Sequence, residues 1–184
     1  MDQNVRRLRA RAAEQMVAAV RETAPLESLA FHEGTSGVGS GEGAWQTAAS
    51  GSSWGGAEAW ATFRAVFRVP SSWAGSPVRL ALALGGQGMA YLDGLPWQGL
   101  DARHHGINLA ASVCDGQTHE VIVEEYAMGA TTAPRQRGTT CTIGACCLQQ
   151  IDSEARALAY DLLVGAGTLQ AIADTHPADR KSVV

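Results

Sequence analysis

The chain has 184 residues, a formal net charge of −4 and a pI near 5.7, a size for one compact domain with a helical extension at each end. That balance excludes a nucleic-acid surface, which needs clustered positive charge; the one basic cluster is Arg6, Arg7, Arg9 and Arg11. No apolar run is long enough to span a bilayer and no apolar signal segment follows the first charges, so the chain reads as soluble, cytoplasmic and without a membrane partner.

Residues 4–22 read as a helix, with Val5, Leu8, Ala12, Met16, Ala19 and Val20 at helical spacing and Pro25 as its stop. Residues 31–56 are rich in Gly, Ser and Thr and read as an irregular strand and a long loop, tacked down by Trp45 and Trp54. From residue 58 the period becomes two. Phe63, Ala65, Phe67 and Val69 face one way, then Val78, Leu80, Leu82 and Leu84 do the same, as in antiparallel strands with one buried face. The cluster Gly85-Gly86-Gln87-Gly88 has no Lys-Ser/Thr ending and no helix after it, so it is a place of bulge or close backbone approach, not a phosphate loop.

Asp93-Gly94 between residues 89–92 and 95–98 signals a two-residue hairpin, and Pro96 puts the second strand at a sheet edge. A second Asp-Gly turn, at Asp115-Gly116, precedes a strand over 119–126. A loop over 127–138 and a closing strand over 139–148 follow. Short strands at regular spacing with no helix between them indicate a β-sandwich over 31–150. Residues 151–173 read as a helix capped by Asp152 or Ser153 and weakened in its middle by Gly165 and Gly167. The chain then stops at Val184 with no element for this helix to pack into, an ending that reads as truncated. The fold class is therefore mainly β, a jelly-roll-like (galactose-binding-like) sandwich over 31–150, with a helix before it (1–25) and a helix and tail after it (151–184).

Four cysteines in a chain of this size form no disulfide framework. Cys146 and Cys147, adjacent on a strand, point to opposite faces and share neither a bond nor a metal. Asp101, His104 and His105 could form a metal or acid–base site, but a loop held in shape by side-chain to backbone bonds is the commoner use of such residues. Glu124 and Glu125 face opposite ways on their strand and cannot be the close carboxylate pair of a retaining glycosidase. Of the five tryptophans, Trp97 beside Gln98 is the candidate sugar platform. The site residues are thus carbohydrate-binding or interdomain, namely Trp97, Gln98, Asp101, His104 and His105, with no catalytic residue, no metal ligand and no cofactor in this chain.

The run GGQGMAYLDGLPWQGLD, followed by His104, resembles the N-terminal β-domain of glycoside hydrolase family 38 α-mannosidases, whose pattern there is GGEG…YVDG…QGLD..H. Phe63 through Pro70 resembles that domain's WFR..F.VP strand, and Leu148 through Ala155 with Tyr160-Asp161-Leu162 resembles its..ID.EA..LYYDL linker helix. The resemblance runs from about residue 54 to about residue 173, with Gln87 standing where an acidic residue belongs. It implies a parent enzyme that hydrolyses terminal α-mannosides of glycans with retention and with zinc. The family binds that zinc through a His-x-Asp motif in a catalytic domain after the linker helix. None of His32, His104, His105, His119 or His176 is followed at the second position by Asp, so the catalytic residues are expected outside this chain. On that reading the chain is a structural, non-catalytic accessory domain whose partners are the catalytic domain, glycans and further copies of itself. The alternatives are a free-standing lectin-like module and, last, a small hydrolase using Asp101 and His104.

Overall fold

Alternating apolar residues build the strands of three sheets, and a computed structural model describes residues 3–34, 44–56, 59–101, 104–127 and 140–175. The loop expected beyond Ala127 and His176 lie outside the described residues, as does part of the loop expected after Phe31. The chain divides into a helical unit, residues 1–22 with 151–184, and a β unit, residues 23–150.

In the helical unit, α1 (Gln3–Ala18) packs on α2 (Ser153–Thr175). The buried residues of the two helices stand at seven-residue spacing, Val5 and Ala12 on α1 and Ala159 and Ala166 on α2, and Ala19, just past the end of α1, is buried as well. Helix α1 is shorter than its periodicity suggests. It ends at Ala18, and Val20, expected on its apolar face, opens β1 (Val20–Ala24), which carries the chain into the β unit. Arg21 and Glu22 would suit another helical turn, so the strand rests on the β-branched Val20 and Thr23 and on sheet pairing, which prevails there. At the other end Asp152 caps α2, its Oδ1 accepting the N–H groups of Glu154 and Ala155 at 3.0 Å each, while its Oδ2 pairs with Arg21 at 2.7 Å.

The β unit holds a six-stranded antiparallel sheet. Its members are β2 (Ser28–Gly34), β3 (Gln46–Thr47), β5 (Trp60–Arg68), β7 (Gln87–Leu92), β8 (Leu95–Leu100) and β10 (Thr118–Tyr126), ordered β3-β2-β5-β10-β7-β8. In a second sheet β6 (Val78–Leu82) lies between β9 (Gly106–Leu109) and β12 (Cys146–Ile151), and β4 (Ser53–Gly55) pairs with β11 (Thr140–Thr142) as a separate two-stranded sheet. Between them lies the core expected from the period-two pattern: Phe63, Phe67, Val69, Leu80, Leu82, Leu84 and Val121 are almost fully buried. Trp54 adds a buried ring, edge-on to Phe63 and anchored by its indole N–H on Leu84 O at 2.7 Å.

The hairpin follows its turn chemistry. Asp93 and Gly94 both take positive φ (49° and 81°), Leu92 pairs with Leu95, and Pro96 sits in β8 at the edge of the sheet. The expected closing strand is two strands. Gly144 breaks it, donating its N–H to Ala83 O so closely that a Cβ there would stand 2.9 Å from the Ala83 side chain.

A cleft around a buried carboxyl

The glycine run does what close backbone approach requires. Gly85 has φ +94°, and a Cβ on Gly86 would lie 2.7 Å from Glu125 Oε2. On Gly88 a Cβ would overlap the Glu124 carbonyl oxygen on the paired strand β10. The run therefore lays its backbone directly on β10, and Gly86 N–H donates to Glu125 Oε2 at 2.9 Å.

Glu125 stands on the inward face of β10, in step with Val121 and Val123, and is only 2 % exposed. Burial raises its pKa to about 7, against the opposing pull of the Gly86 hydrogen bond. The Gly86 bond occupies one oxygen. Among the described residues no donor reaches the other, and the carboxyl borders a cleft of about 350 Å³ with Gly85, Gly86, Asp101, His105 and Thr142. The Cys141 and Cys146 thiols are both pushed up to about 11, by burial first and then, in part, by the charge of Glu125.

The structure places the sequence-derived candidates in three settings. Asp101 and His105 line the cleft. His104 points away into solvent, and Asp101 wraps it: Oδ1 accepts the His104 N–H at 2.7 Å and both carboxylate oxygens lie 3.1 Å from Nδ1. This is the loop-shaping use of an Asp and His three apart. Trp97 and Gln98 are tied to β9, the indole N–H donating to Asn108 O at 3.1 Å and the amide to Gly106 O at 3.0 Å, with the Trp97 ring still 41 % exposed. Sequence reasoning does not single out Glu125, although the alternation Val121, Val123, Glu125 marks a carboxylate at an inward position.

A second polar cluster joins the two Asp-Gly turns. His119, half-buried against Phe67, sits with Nδ1 2.7 Å from Asp93 Oδ2 and Nε2 3.0 Å from Asp115 Oδ1. Burial depresses the imidazole pKa, but the hydrogen bonds and charges of both carboxylates outweigh it, and the net shift is upward. Both carboxylates are lowered in turn.

Antiparallel sheets around one apolar core, with a small cleft at a glycine-rich strand turn, define a jelly-roll β-sandwich module. A family described as "Alpha-mannosidase, jelly roll domain" matches residues 14–143. The chain belongs to that family of α-mannosidase jelly-roll domains. No curated protein matches it. Among solved structures, the β-glucuronidase from Ruminococcus gnavus in complex with D-glucuronic acid aligns at 12 % identity with a TM-score of 0.47, covering 73 % of this chain and 30 % of that one. The crystal structure of Ruminococcus gnavus β-glucuronidase aligns at 11 % identity and 0.48, covering 73 % and 29 %. This chain thus spans under a third of those proteins, and neither likeness bears on what it binds.

Proposed function

We propose that this chain is the N-terminal accessory domain of a cytoplasmic family 38 α-mannosidase, and that it is structural and non-catalytic. The match of residues 14–143 to the α-mannosidase jelly-roll family carries the reading. The carboxylates support it. Glu124 and Glu125 face opposite sides of β10, Glu125 accepts the Gly86 N–H, and Asp101 is engaged with His104, so these three carboxylates do not form the close pair of a retaining glycosidase. The parent enzyme would hydrolyse terminal α-mannosides of glycans with a zinc held in its other domain. Among the described residues here, no three His, Cys, Asp or Glu side chains come together to hold a metal.

The partner of this domain is the catalytic domain. Tyr160, Leu163 and Val164, exposed at i, i+3 and i+4 on α2, are the face offered to it or to another copy of the chain. The exposed Trp97 ring favours a second reading, a lectin-like module that holds glycans through Trp97, Gln98, Asp101, His104 and His105.

One experiment separates the two. The purified chain is expected to give no turnover of an aryl α-mannoside with added zinc, and no change in tryptophan fluorescence with methyl α-mannoside. Turnover would overturn the non-catalytic reading, and saturable quenching lost in Trp97→Ala would establish the lectin-like one.

A further inference from the structure

The carboxyl of Glu125 is the least expected group in the β unit. A buried carboxylate is strongly destabilising unless it is paired. Here the chain gives it one backbone hydrogen bond and leaves its second oxygen without a described protein donor, at the wall of the cleft. Two glycines, Gly86 and Gly88, bring the backbone up to this group and its strand, so it is built in and not tolerated. The other acidic group in the wall is Asp101, and no Lys or Arg is among the described lining residues.

An anion is therefore repelled. A metal ion lacks its third ligand among the described residues. A sugar ring finds no aromatic face in the described wall. A planar or tetrahedral organic cation with several N–H donors meets what the wall offers, the Glu125 carboxylate with an oxygen that no described donor reaches and the negative charge of Asp101 beside it.

We infer that the Glu125 cleft is a binding site for a single guanidinium or ammonium group, which completes the hydrogen bonding of the buried carboxyl. The inference does not depend on the mannosidase reading. Such a ligand pairs with ionised Glu125, so binding tightens as pH rises through about 7, and binding in turn draws the Glu125 titration to lower pH. Asp101 and His105 face the same cleft, whereas the Cys141 and Cys146 thiols, with pKa values near 11, stay neutral in this range.

The test is titration of the whole chain with methylguanidine, Nα-acetylarginine amide and methyl α-mannoside, followed by 13C-carboxyl spectra of glutamate-labelled protein. Expected are saturable binding of methylguanidine, weakening up to ~10-fold per pH unit below 7, and a downward move of the Glu125 titration of roughly one unit, the equivalent of a tenfold preference for the ionised form. Glu125→Gln, which can still accept the Gly86 N–H, should abolish binding with the fold intact by circular dichroism. Should Gln fail to fold, the carboxyl titration of the native chain decides alone. Binding of the capped arginine as well identifies a basic side chain of a partner polypeptide as the source, and binding of methylguanidine alone identifies a free small cation. Absence of cation binding with an unmoved Glu125 titration, or displacement by the mannoside, overturns the inference.

Discussion

His119 is the residue on which most of the turn chemistry converges. It holds the carboxylates of two Asp-Gly turns at once, so its protonated form is stabilised by the fold. A raised folded pKa contributes stability that is complete below the unfolded value, ~6.5, and is lost as pH climbs through the folded value. The lowered pKa values of Asp93 and Asp115 contribute above their unfolded value, ~3.9, and lose their effect as pH falls through the folded values. The clamp is thus strongest between about pH 4 and 6.5. His119→Gln should destabilise the chain by about 1 kcal/mol at pH 5.5, the carboxylates being nearly half exposed, and by less at pH 9, as read from urea midpoints. Gly88→Ala acts through sterics alone, forcing β7 off β10, and should lower stability by about 3 kcal/mol or more at every pH. Neither cluster is legible from residue type. Asp93 meets His119 only because β7 and β10 pair in the register that sets Leu92 opposite Val121.

At the scale of the element, period two is readable wherever one strand face is buried, which is why β5, β6 and the β7–β8 hairpin fall where the pattern puts them. It fails at two places for identifiable reasons. Val20 satisfies helical spacing as well as it satisfies a strand, and only tertiary pairing decides between them. Gly144 looks like any strand glycine until Ala83 is seen pressed against it. The cap of α2 is readable because Asp152 stands immediately before the apolar stripe. The weak middle of that helix is testable. A methyl group added at Gly165 or Gly167 would meet nothing within 4 Å, so each Gly→Ala change should raise stability by roughly 0.5–1 kcal/mol, measured by thermal melts of the single and double variants.

Across the whole molecule, the fold is far more legible than the site. Turn dipeptides and alternation specify a sandwich, but a cleft depends on which side chains two non-adjacent strands and a loop bring together. Asp101 and His105 stand out in the sequence for their chemistry and do border the cleft, whereas its innermost group, Glu125, invites comparison there only with its neighbour Glu124. Cysteine chemistry follows the same division between surface and interior. None of the four cysteines is in a disulfide, and Cys141 is buried. In native buffer at pH 8 a maleimide should label Cys114 and Cys147 well before Cys141 and Cys146, whose pKa values near 11 leave little thiolate, and reductant should leave the melting temperature unchanged.

Gln87 sits between Gly86 and Gly88, exposed to solvent on the strand whose other positions are pressed on β10. A Cβ at three of the four positions in this run would press on neighbouring atoms, whereas Gln87, though paired with Tyr126 through the backbone, carries its side chain in solvent. A side chain is therefore strained at 85, where φ is +94°, and sterically barred at 86 and 88, whereas at 87 it projects into solvent. The spelling of the run is thus a steric constraint with one permissive position, and the side chain at 87 can change its charge without touching the glycine contacts that hold the backbone in place.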